Sequence, residues 1–181
     1  RTLLMHRHLG TNVLLFDYRG FGRSEGSPNE EGTYRDARAA YDYLLNEAGL
    51  TPERVILFGE SLGAAVAVQL AREVPAAGLV LEAPFTSISD MARVAYPFVP
   101  RGWIRTRYDN LAKLPELRLP ILIIHGTEDA TVPFSHGKRL YEVAREPKRF
   151  LAVDDAGHSD SFLVGGDRYW AAWREYLELV D

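Results

Sequence analysis

Three side chains in this sequence have the types needed for nucleophilic attack on an acyl carbon. Ser61 lies in the segment Gly59-Glu-Ser-Leu-Gly63, Asp129 lies in His125-Gly-Thr-Glu-Asp129, and His158 follows a glycine. A serine hydroxyl is a poor nucleophile at neutral pH, so it needs an imidazole to accept its proton and a carboxylate to orient that imidazole. The sequence therefore contains all three parts of a serine–histidine–aspartate triad.

The residues around Ser61 predict a strand, a tight turn and a helix. A run of apolar residues ends at Gly59, and small and apolar residues then continue from Leu62 to Ala71 without a helix breaker. In such a turn the serine takes a strained backbone conformation that exposes its hydroxyl, and the glycines at positions 59 and 63 allow the strand and helix to approach closely. We expect the backbone N–H of Leu62, at the start of the helix, to face a developing oxyanion.

The rest of the chain alternates between predicted strands and predicted helices. The predicted strands are residues 12–17, 55–59, 78–82, 121–125 and 149–153. The predicted helices are residues 3–9, 33–48, 62–71, 136–144 and 168–180. Strands that are apolar on both faces and separated by helices predict an α/β fold, a three-layer sandwich whose mostly parallel sheet has helices on both faces. Ligands bind such sheets at the carboxyl ends of the strands, which is where Ser61, Asp129 and His158 occur.

The composition bounds the class of protein. With 181 residues, of which 46% are hydrophobic, the chain is expected to form one globular domain. A formal net charge of −4 without a basic cluster predicts no nucleic-acid partner. The absence of cysteine excludes disulfides and a cysteine nucleophile. No signal peptide and no apolar run of membrane-spanning length is present, so the compartment stays open, with the cytoplasm favoured.

Other side chains could take the same catalytic roles. Glu128 and Asp160 are alternative carboxylates that could orient His158, and Asp160 is the stronger of these two alternatives. His125 ends a predicted buried strand, so we expect a hydrogen-bonded core residue there. Three further histidines have no metal-ligand spacing: His6, His8 and His136. The sequence therefore predicts neither a metal site nor a cofactor.

A segment rich in proline, aromatic residues and arginine, at about residues 84–118, is predicted to be a short lid-like insertion in the single domain 1–181. Its aromatic and large apolar residues include Phe85, Tyr96, Phe98, Trp103, Ile104 and Tyr108, and the arginines interleaved with them are Arg93, Arg101, Arg105 and Arg107. One interpretation is a lid that forms an acyl or aryl pocket and favours acidic substrates or an anionic membrane surface. The other is an amphipathic helix that covers the sheet.

Four segments in this order resemble the alpha/beta-hydrolase superfamily: residues 17–26, 59–63, 125–133 and 157–158. The resemblance is to members with little or no cap domain, such as esterases, acyl-thioesterases and prolyl-aminopeptidase-like serine hydrolases. It implies that Ser61 is the nucleophile, His158 the general base and then acid, Asp129 the orienting carboxylate, and the Leu62 N–H an oxyanion donor. The implied substrate is a small-molecule ester, thioester or amide. The loop at residues 17–26 would form a wall of the site, held by Asp17 or Arg19.

The sequence departs from this superfamily at its start. In these hydrolases a strand ending in a His-Gly loop precedes the first helix, lies between the two strands predicted at residues 12–17 and 55–59, and supplies a second oxyanion N–H. Because this sequence lacks that strand, we expect an N-terminally truncated fragment, and the resemblance leaves membrane association open. The alternative function is a catalytically silent module of the same fold that binds a ligand or a partner.

Overall fold

A four-stranded parallel sheet forms the centre of the structure, a computed structural model that describes residues 1–95 and 106–180. The strands are β1 (Ile56–Glu60), β2 (Gly78–Glu82), β3 (Ile121–Gly126) and β4 (Lys148–Val153). They are arranged in the order β1-β2-β3-β4, and every neighbouring pair is parallel. All residues of β2 and β3 are buried, as expected for strands covered on both faces.

Helices cover both faces of this sheet. They are α1 (Thr2–Leu9), α2 (Glu30–Asn46), α3 (Leu62–Glu73), α4 (Ile88–Ala95), α5 (Asn110–Lys113), α6 (Phe134–Val143), α7 (Ser161–Val164) and α8 (Gly166–Val180), with short 3₁₀ turns at Pro52–Arg54 and Leu114–Glu116. Because side chains alternate along a strand, Leu79 and Leu81 join the core on the α2, α3 and α6 face, whereas Val80 packs with the α1 and α8 residues on the other. The predicted three-layer α/β fold is confirmed.

The ends of two helices show why they form where they do. Gly10 ends α1 in the left-handed region at a φ of 67°, and its N–H donates to the carbonyl of His6. Asn29 caps α2 because its side-chain oxygen accepts a hydrogen bond from the N–H of Gly32 at 2.8 Å. Helix α2 therefore begins at Glu30, three residues earlier than its apolar pattern predicts.

The prediction of a strand at residues 12–17 is wrong for this structure. These residues form no assigned strand, and the apolar run Val13–Phe16 is exposed, with Leu15 76% accessible. A strand needs a neighbour to pair its backbone N–H and C=O groups. Within the described residues β1 pairs with β2 alone, so the sheet offers no partner between β1 and this segment.

The proposed lid at about residues 84–118 is described only in part. Phe85 and Tyr108 are buried in the core, and the N–H group of the Asn110 side chain donates to the Phe85 carbonyl at 2.8 Å. These two aromatic residues therefore help hold the segment to the body of the domain. The other predicted lid aromatics, and Arg101 and Arg105, lie outside the described residues, so the lid remains a prediction.

Candidate active site

The three predicted catalytic residues follow three different strands of the sheet. Ser61 comes directly after β1, Asp129 three residues after β3, and His158 five residues after β4. Because all four strands are parallel, their carboxyl ends share one edge. The fold therefore brings the three residues to the same edge of the sheet.

The backbone at Ser61 has the strain expected of an exposed serine on a sharp turn. Its φ of 52° and ψ of −114° lie in a region that residues with a Cβ rarely adopt. The Ser61 N–H donates to the Glu82 carbonyl at 2.9 Å, and the Ser61 carbonyl accepts from the N–H of Ala64 at 3.1 Å. These bonds join the turn to β2 and to helix α3, so the unusual conformation is held from two directions.

Gly59 is what allows β1 and α3 to approach so closely. A Cβ at Gly59 would lie 2.1 Å from the carbonyl oxygen of Gly63, which is backbone and cannot move aside cheaply. At Gly63 the added Cβ would meet nothing nearer than the Tyr18 hydroxyl at 3.8 Å. The expectation that both glycines are needed for close packing is therefore met at Gly59 but not at Gly63.

Leu62 is the first residue of α3, so its backbone N–H has no carbonyl partner within the helix. The amino end of a helix also carries a partial positive charge. Both features suit the predicted role of Leu62 as a donor to an oxyanion formed beside Ser61.

His158 and Asp129 form a hydrogen-bonded pair. Nδ1 of His158 lies 2.8 Å from Oδ2 of Asp129, whose side chain is fully buried, while the His158 side chain is 21% exposed. The other carboxylate oxygen, Oδ1, accepts the backbone N–H groups of Thr131 and Val132 at 2.8 Å each. An ionised carboxylate can only accept, so the proton of a neutral His158 lies on Nδ1, and Nε2 then carries the lone pair that a general base needs.

The two rival carboxylates are placed elsewhere. Oδ1 of Asp160 accepts the N–H of Gly157 at 2.7 Å, which fixes the loop before His158, and Glu128 is exposed to solvent. Of these three acidic residues, Asp129 is the one whose carboxylate contacts the imidazole of His158.

His125 is a buried, hydrogen-bonded core residue, as its place in the sequence predicts. Its Nε2 lies 2.9 Å from the Val132 carbonyl and 3.3 Å from Oδ2 of Asp129. Burial lowers the pKa of His125, which favours the neutral ring. Because a carbonyl can only accept, Nε2 is the nitrogen that carries a proton. His125 thus supports the loop that carries Asp129.

Sequence reasoning missed a charged group at the Ser61 end of the site. The guanidinium of Arg1 donates to Glu60 Oε2 at 2.7 Å, to Glu82 Oε2 at 3.3 Å and to the Ser159 carbonyl at 3.3 Å. The Tyr169 hydroxyl donates to the same oxygen of Glu82 at 2.9 Å. A signal was available in the sequence, since Glu82 is a carboxylate at the end of an otherwise apolar strand.

Glu82 is fully buried, and burial raises its pKa to about 7, against the opposing effects of Arg1 and the Tyr169 hydroxyl. Its other oxygen, Oε1, has no hydrogen-bond partner among the described residues. With a pKa of about 7, the Glu82 carboxyl is neutral at acidic pH and partly ionised near neutrality.

The loop at residues 17–26 is fixed by Arg19, one of the two residues predicted for that role. Its guanidinium forms a two-pronged ion pair with Asp36 at 2.8 and 3.1 Å, and its backbone N–H donates to Asp36 at 2.9 Å. These bonds hold the pKa of Asp36 below its usual range. A groove of about 470 Å³ lies between this loop and α2, and none of Ser61, Asp129 and His158 lines it.

Two further searches cover the described part of the chain, residues 1–95 and 106–180. No group of three or more histidine, aspartate or glutamate side chains there is placed to hold a metal ion. No helix there has both the length and the apolar character needed to cross a membrane.

A strained serine between a strand and a helix, with an aspartate and a histidine after later parallel strands, defines the alpha/beta-hydrolase fold. Comparison with solved structures supports this fold. The Pyrococcus furiosus esterase Pf2001 has a TM-score of 0.77 at 23% identity, covering 94% of this chain and 71% of that one. The Paleococcus ferrophilus monoacylglycerol lipase has a TM-score of 0.70 at 19% identity, covering 99% of this chain and 88% of that one. At these identities the likeness shows the fold alone.

The family model described as serine aminopeptidase, S33 (Hydrolase_4), matches residues 7–111, which is more than half of the chain. The chain therefore belongs to this family, and the predicted membership of the alpha/beta-hydrolase superfamily is confirmed. It is 44% identical over 170 residues to the uncharacterized protein Rv2307c of Mycobacterium tuberculosis, covering 93% of this chain and 60% of that protein. It is 38% identical over 157 residues to human alpha/beta hydrolase domain-containing protein 17B, covering 87% and 54%. The chain thus spans between 54% and 60% of the length of these two relatives.

Proposed function

We propose that this chain carries the catalytic residues of a serine hydrolase that cleaves carboxylic esters or thioesters of small acyl substrates, with amides as a third substrate class. The observation that carries the proposal is the 2.8 Å contact between His158 Nδ1 and Asp129 Oδ2 at the sheet edge where Ser61 stands. A buried carboxylate fixed by two backbone N–H groups holds the imidazole in the tautomer that a general base needs.

In the first half of the reaction, the Ser61 oxygen attacks the acyl carbon while Nε2 of His158 accepts the hydroxyl proton. The negative charge that develops on the acyl oxygen is stabilised by the N–H of Leu62 at the amino end of α3. The tetrahedral intermediate then collapses, and His158 gives its proton to the departing alcohol, thiol or amine. Asp129 stays ionised and stabilises the imidazolium. The product of this half-reaction is an acyl-enzyme on Ser61.

In the second half, water takes the place of the alcohol or thiol. His158 accepts a proton from the water as it attacks the acyl carbon, and then returns this proton to the Ser61 oxygen as the carboxylic acid leaves. Acid and base roles thus alternate on one imidazole, and no cofactor is required.

The names of similar proteins favour ester chemistry without excluding amides. Pf2001 is called an esterase and the Paleococcus ferrophilus protein a monoacylglycerol lipase, while the matching family is described as serine aminopeptidase. Hydrolysis of the three bond types passes through the same acyl-enzyme and differs in the leaving group. Substrates that share one acyl group but have different leaving groups therefore distinguish the three activities.

The test uses the protein at its natural length. A fluorophosphonate probe is expected to label Ser61, and short acyl esters, acyl thioesters and aminoacyl anilides to be hydrolysed in an order that identifies the bond type. Ser61→Ala should abolish labelling and reduce kcat by about 10⁶-fold. Ser135→Ala, at an exposed serine on α6, is the matched control and should leave both unchanged.

Two results would contradict the proposal. Hydrolysis by the Ser61→Ala variant at the unchanged rate would show that another group performs the chemistry. A folded protein that is neither labelled nor active on any of the three bond types would instead be the catalytically silent binding module.

A further inference from the structure

Arg1 lies between the two loops that carry Ser61 and His158, and its side chain is only 14% exposed. We propose that Arg1 is a positioning residue of the hydrolase proposed above: its guanidinium joins the turn before Ser61 to the loop after His158. This inference rests on the proposed function for its catalytic consequence. The contacts of Arg1 with Glu60, Glu82 and the Ser159 carbonyl are called the Arg1 bridge below.

The first end of the Arg1 bridge is Glu60, the residue directly before Ser61. Its carboxylate lies 2.7 Å from Nη1 of Arg1, and the two side chains are 29% and 14% exposed. A partly buried charge pair of this kind is screened less by salt than a surface pair. The position of Glu60, and with it the backbone that enters the strained turn at Ser61, therefore depends on Arg1.

The second end is the carbonyl of Ser159, the residue directly after His158, which accepts from Nη2 of Arg1 at 3.3 Å. On the other side of His158 the loop is held to the loop after β3, where the N–H of Glu128 donates to the Ala156 carbonyl at 2.9 Å. The Arg1 bridge thus fixes the His158 loop from the side that faces the Ser61 turn.

The middle of the Arg1 bridge is Glu82, whose Oε2 accepts from Arg1 at 3.3 Å and from the Tyr169 hydroxyl at 2.9 Å. Glu60 and Glu82 are paired positions on the parallel strands β1 and β2, so their side chains lie side by side. Like charges at adjacent strand positions repel each other, and the guanidinium between them offsets this repulsion. Arg1 therefore stabilises the pair of carboxylates most when both are ionised.

An arginine suits this position better than a lysine. The planar guanidinium reaches three acceptors in different directions, and its Cζ lies 4.6 Å from the centre of the Phe162 ring, over which it stacks. A lysine ammonium supplies the charge but not the flat fork or the stacking geometry. Replacing Arg1 with lysine therefore separates the effect of geometry from the effect of charge.

The groups that Arg1 contacts have no assigned chemical step in the reaction, so its loss should alter the alignment of Ser61 and His158 rather than substrate binding. Misplacing catalytic groups by about 1 Å can cost roughly 100-fold in rate. We therefore expect the effect to fall on kcat, with KM little changed.

The first experiment compares Arg1→Lys, Arg1→Ala and the control Arg149→Met in the full protein. Arg149 forms an ion pair of 3.1 Å with Glu175 in which both side chains are substantially exposed. We expect Arg1→Lys to melt like the wild type yet lose about 10-fold to 100-fold in kcat at unchanged KM. Guanidinium chloride at non-denaturing concentration should restore part of the kcat of Arg1→Ala, and sodium chloride at equal ionic strength should not. Arg149→Met should behave like the wild type.

Three outcomes would overturn the proposal: full kcat in Arg1→Lys, no rescue of Arg1→Ala by guanidinium, or a change confined to KM. A second measurement does not need catalysis. Hydrogen–deuterium exchange should rise in Arg1→Ala at residues 59–64 and 155–162 together, and should not rise there in Arg149→Met. If the wild type hydrolyses none of the substrates, the proposed function fails, but hydrogen–deuterium exchange still tests the Arg1 bridge. Unchanged exchange in either segment would show that Arg1 does not hold that segment in place.

Discussion

Nδ1 of His158 lies 2.8 Å from Oδ2 of Asp129, and the two residues stand in loops that follow the neighbouring strands β4 and β3. Six residue pairs link these strands in parallel register, from Ile121 with Lys148 to Gly126 with Val153. The sheet therefore sets the distance between the two loops. The backbone N–H groups of Thr131 and Val132 then set the orientation of the Asp129 carboxylate.

Asp129→Asn is expected to leave the fold intact and to lower kcat by about 10⁴-fold. The asparagine oxygen can still accept the two backbone N–H groups, but the side-chain NH₂ then faces His158 and favours the wrong imidazole tautomer. Steady-state kinetics, with circular dichroism as the check on folding, measure the effect. Asp160→Asn is the matched control, because its oxygen can still accept the Gly157 N–H. Full activity in Asp129→Asn together with a large loss in Asp160→Asn would show that Asp160, and not Asp129, is the orienting carboxylate.

The two glycines that flank Ser61 are expected to respond differently to alanine. Gly59→Ala places a Cβ 2.1 Å from the Gly63 carbonyl oxygen, so β1 and α3 must move apart. Such overpacking costs about 1–3 kcal/mol in the free energy of unfolding. Gly63→Ala has room for its methyl group and adds a better helix former near the start of α3, so its stability should be equal or slightly higher. Urea denaturation compares the two variants, and equal destabilisation would refute the close approach at Gly59.

Glu82 is expected to make stability depend on pH. Burial raises its pKa from 4.5 to about 7, so the folded protein holds a proton that the unfolded chain has released between these values. The stability that this proton contributes is fully present below pH 4.5 and is lost as the pH rises through about 7. A shift of this size corresponds to roughly 3 kcal/mol.

Glu82→Gln tests this pH dependence of stability, because the glutamine amide resembles the protonated carboxyl and does not titrate. Relative to the wild type, the variant should gain stability from pH 5 to pH 8, as measured by urea midpoints at each pH. The difference between the two proteins is the proper measure, since burial also lowers the pKa values of His125 and His136, whose effect has the opposite sign. Glu175→Gln, at an exposed carboxylate, is the control. A pH-independent difference would show that Glu82 has an ordinary pKa when folded.

Much of the fold could be predicted because the central strands β2 and β3 are buried at every position and are mostly apolar. The strand at residues 78–82 has the predicted bounds, and those ending at Gly126 and Val153 differ by one residue at one end. The strand predicted at residues 12–17 has the same apolar character, but pairing depends on a neighbour that the local sequence does not show. The apolar pattern predicts which residues are suited to burial, but a neighbouring strand determines whether they are buried.

The meeting of the three proposed catalytic residues at one sheet edge could be predicted because each residue is close in sequence to the strand that positions it. Arg1 could not, because its partners Glu60 and Glu82 are 59 and 81 residues away and its bridge exists only after the sheet has formed. The difference between Gly59 and Gly63 was hidden for the same reason, since the spacing of a strand against a helix is a property of their packing.

The exposed apolar run Val13–Phe16 is expected to make the 181-residue chain self-associate. Leu15 is 76% exposed, and within the described residues neither this run nor the outer edge of β1 has a strand partner, a combination that favours edge-to-edge association. The isolated chain should bind a hydrophobic dye and form concentration-dependent oligomers in light scattering. Leu15→Lys should reduce both signals. Leu3→Lys, at an isolated leucine of α1 that is 74% exposed, changes charge and exposed apolar area equally and should reduce neither. An equal response to the two substitutions would show that added charge, rather than this run, governs association.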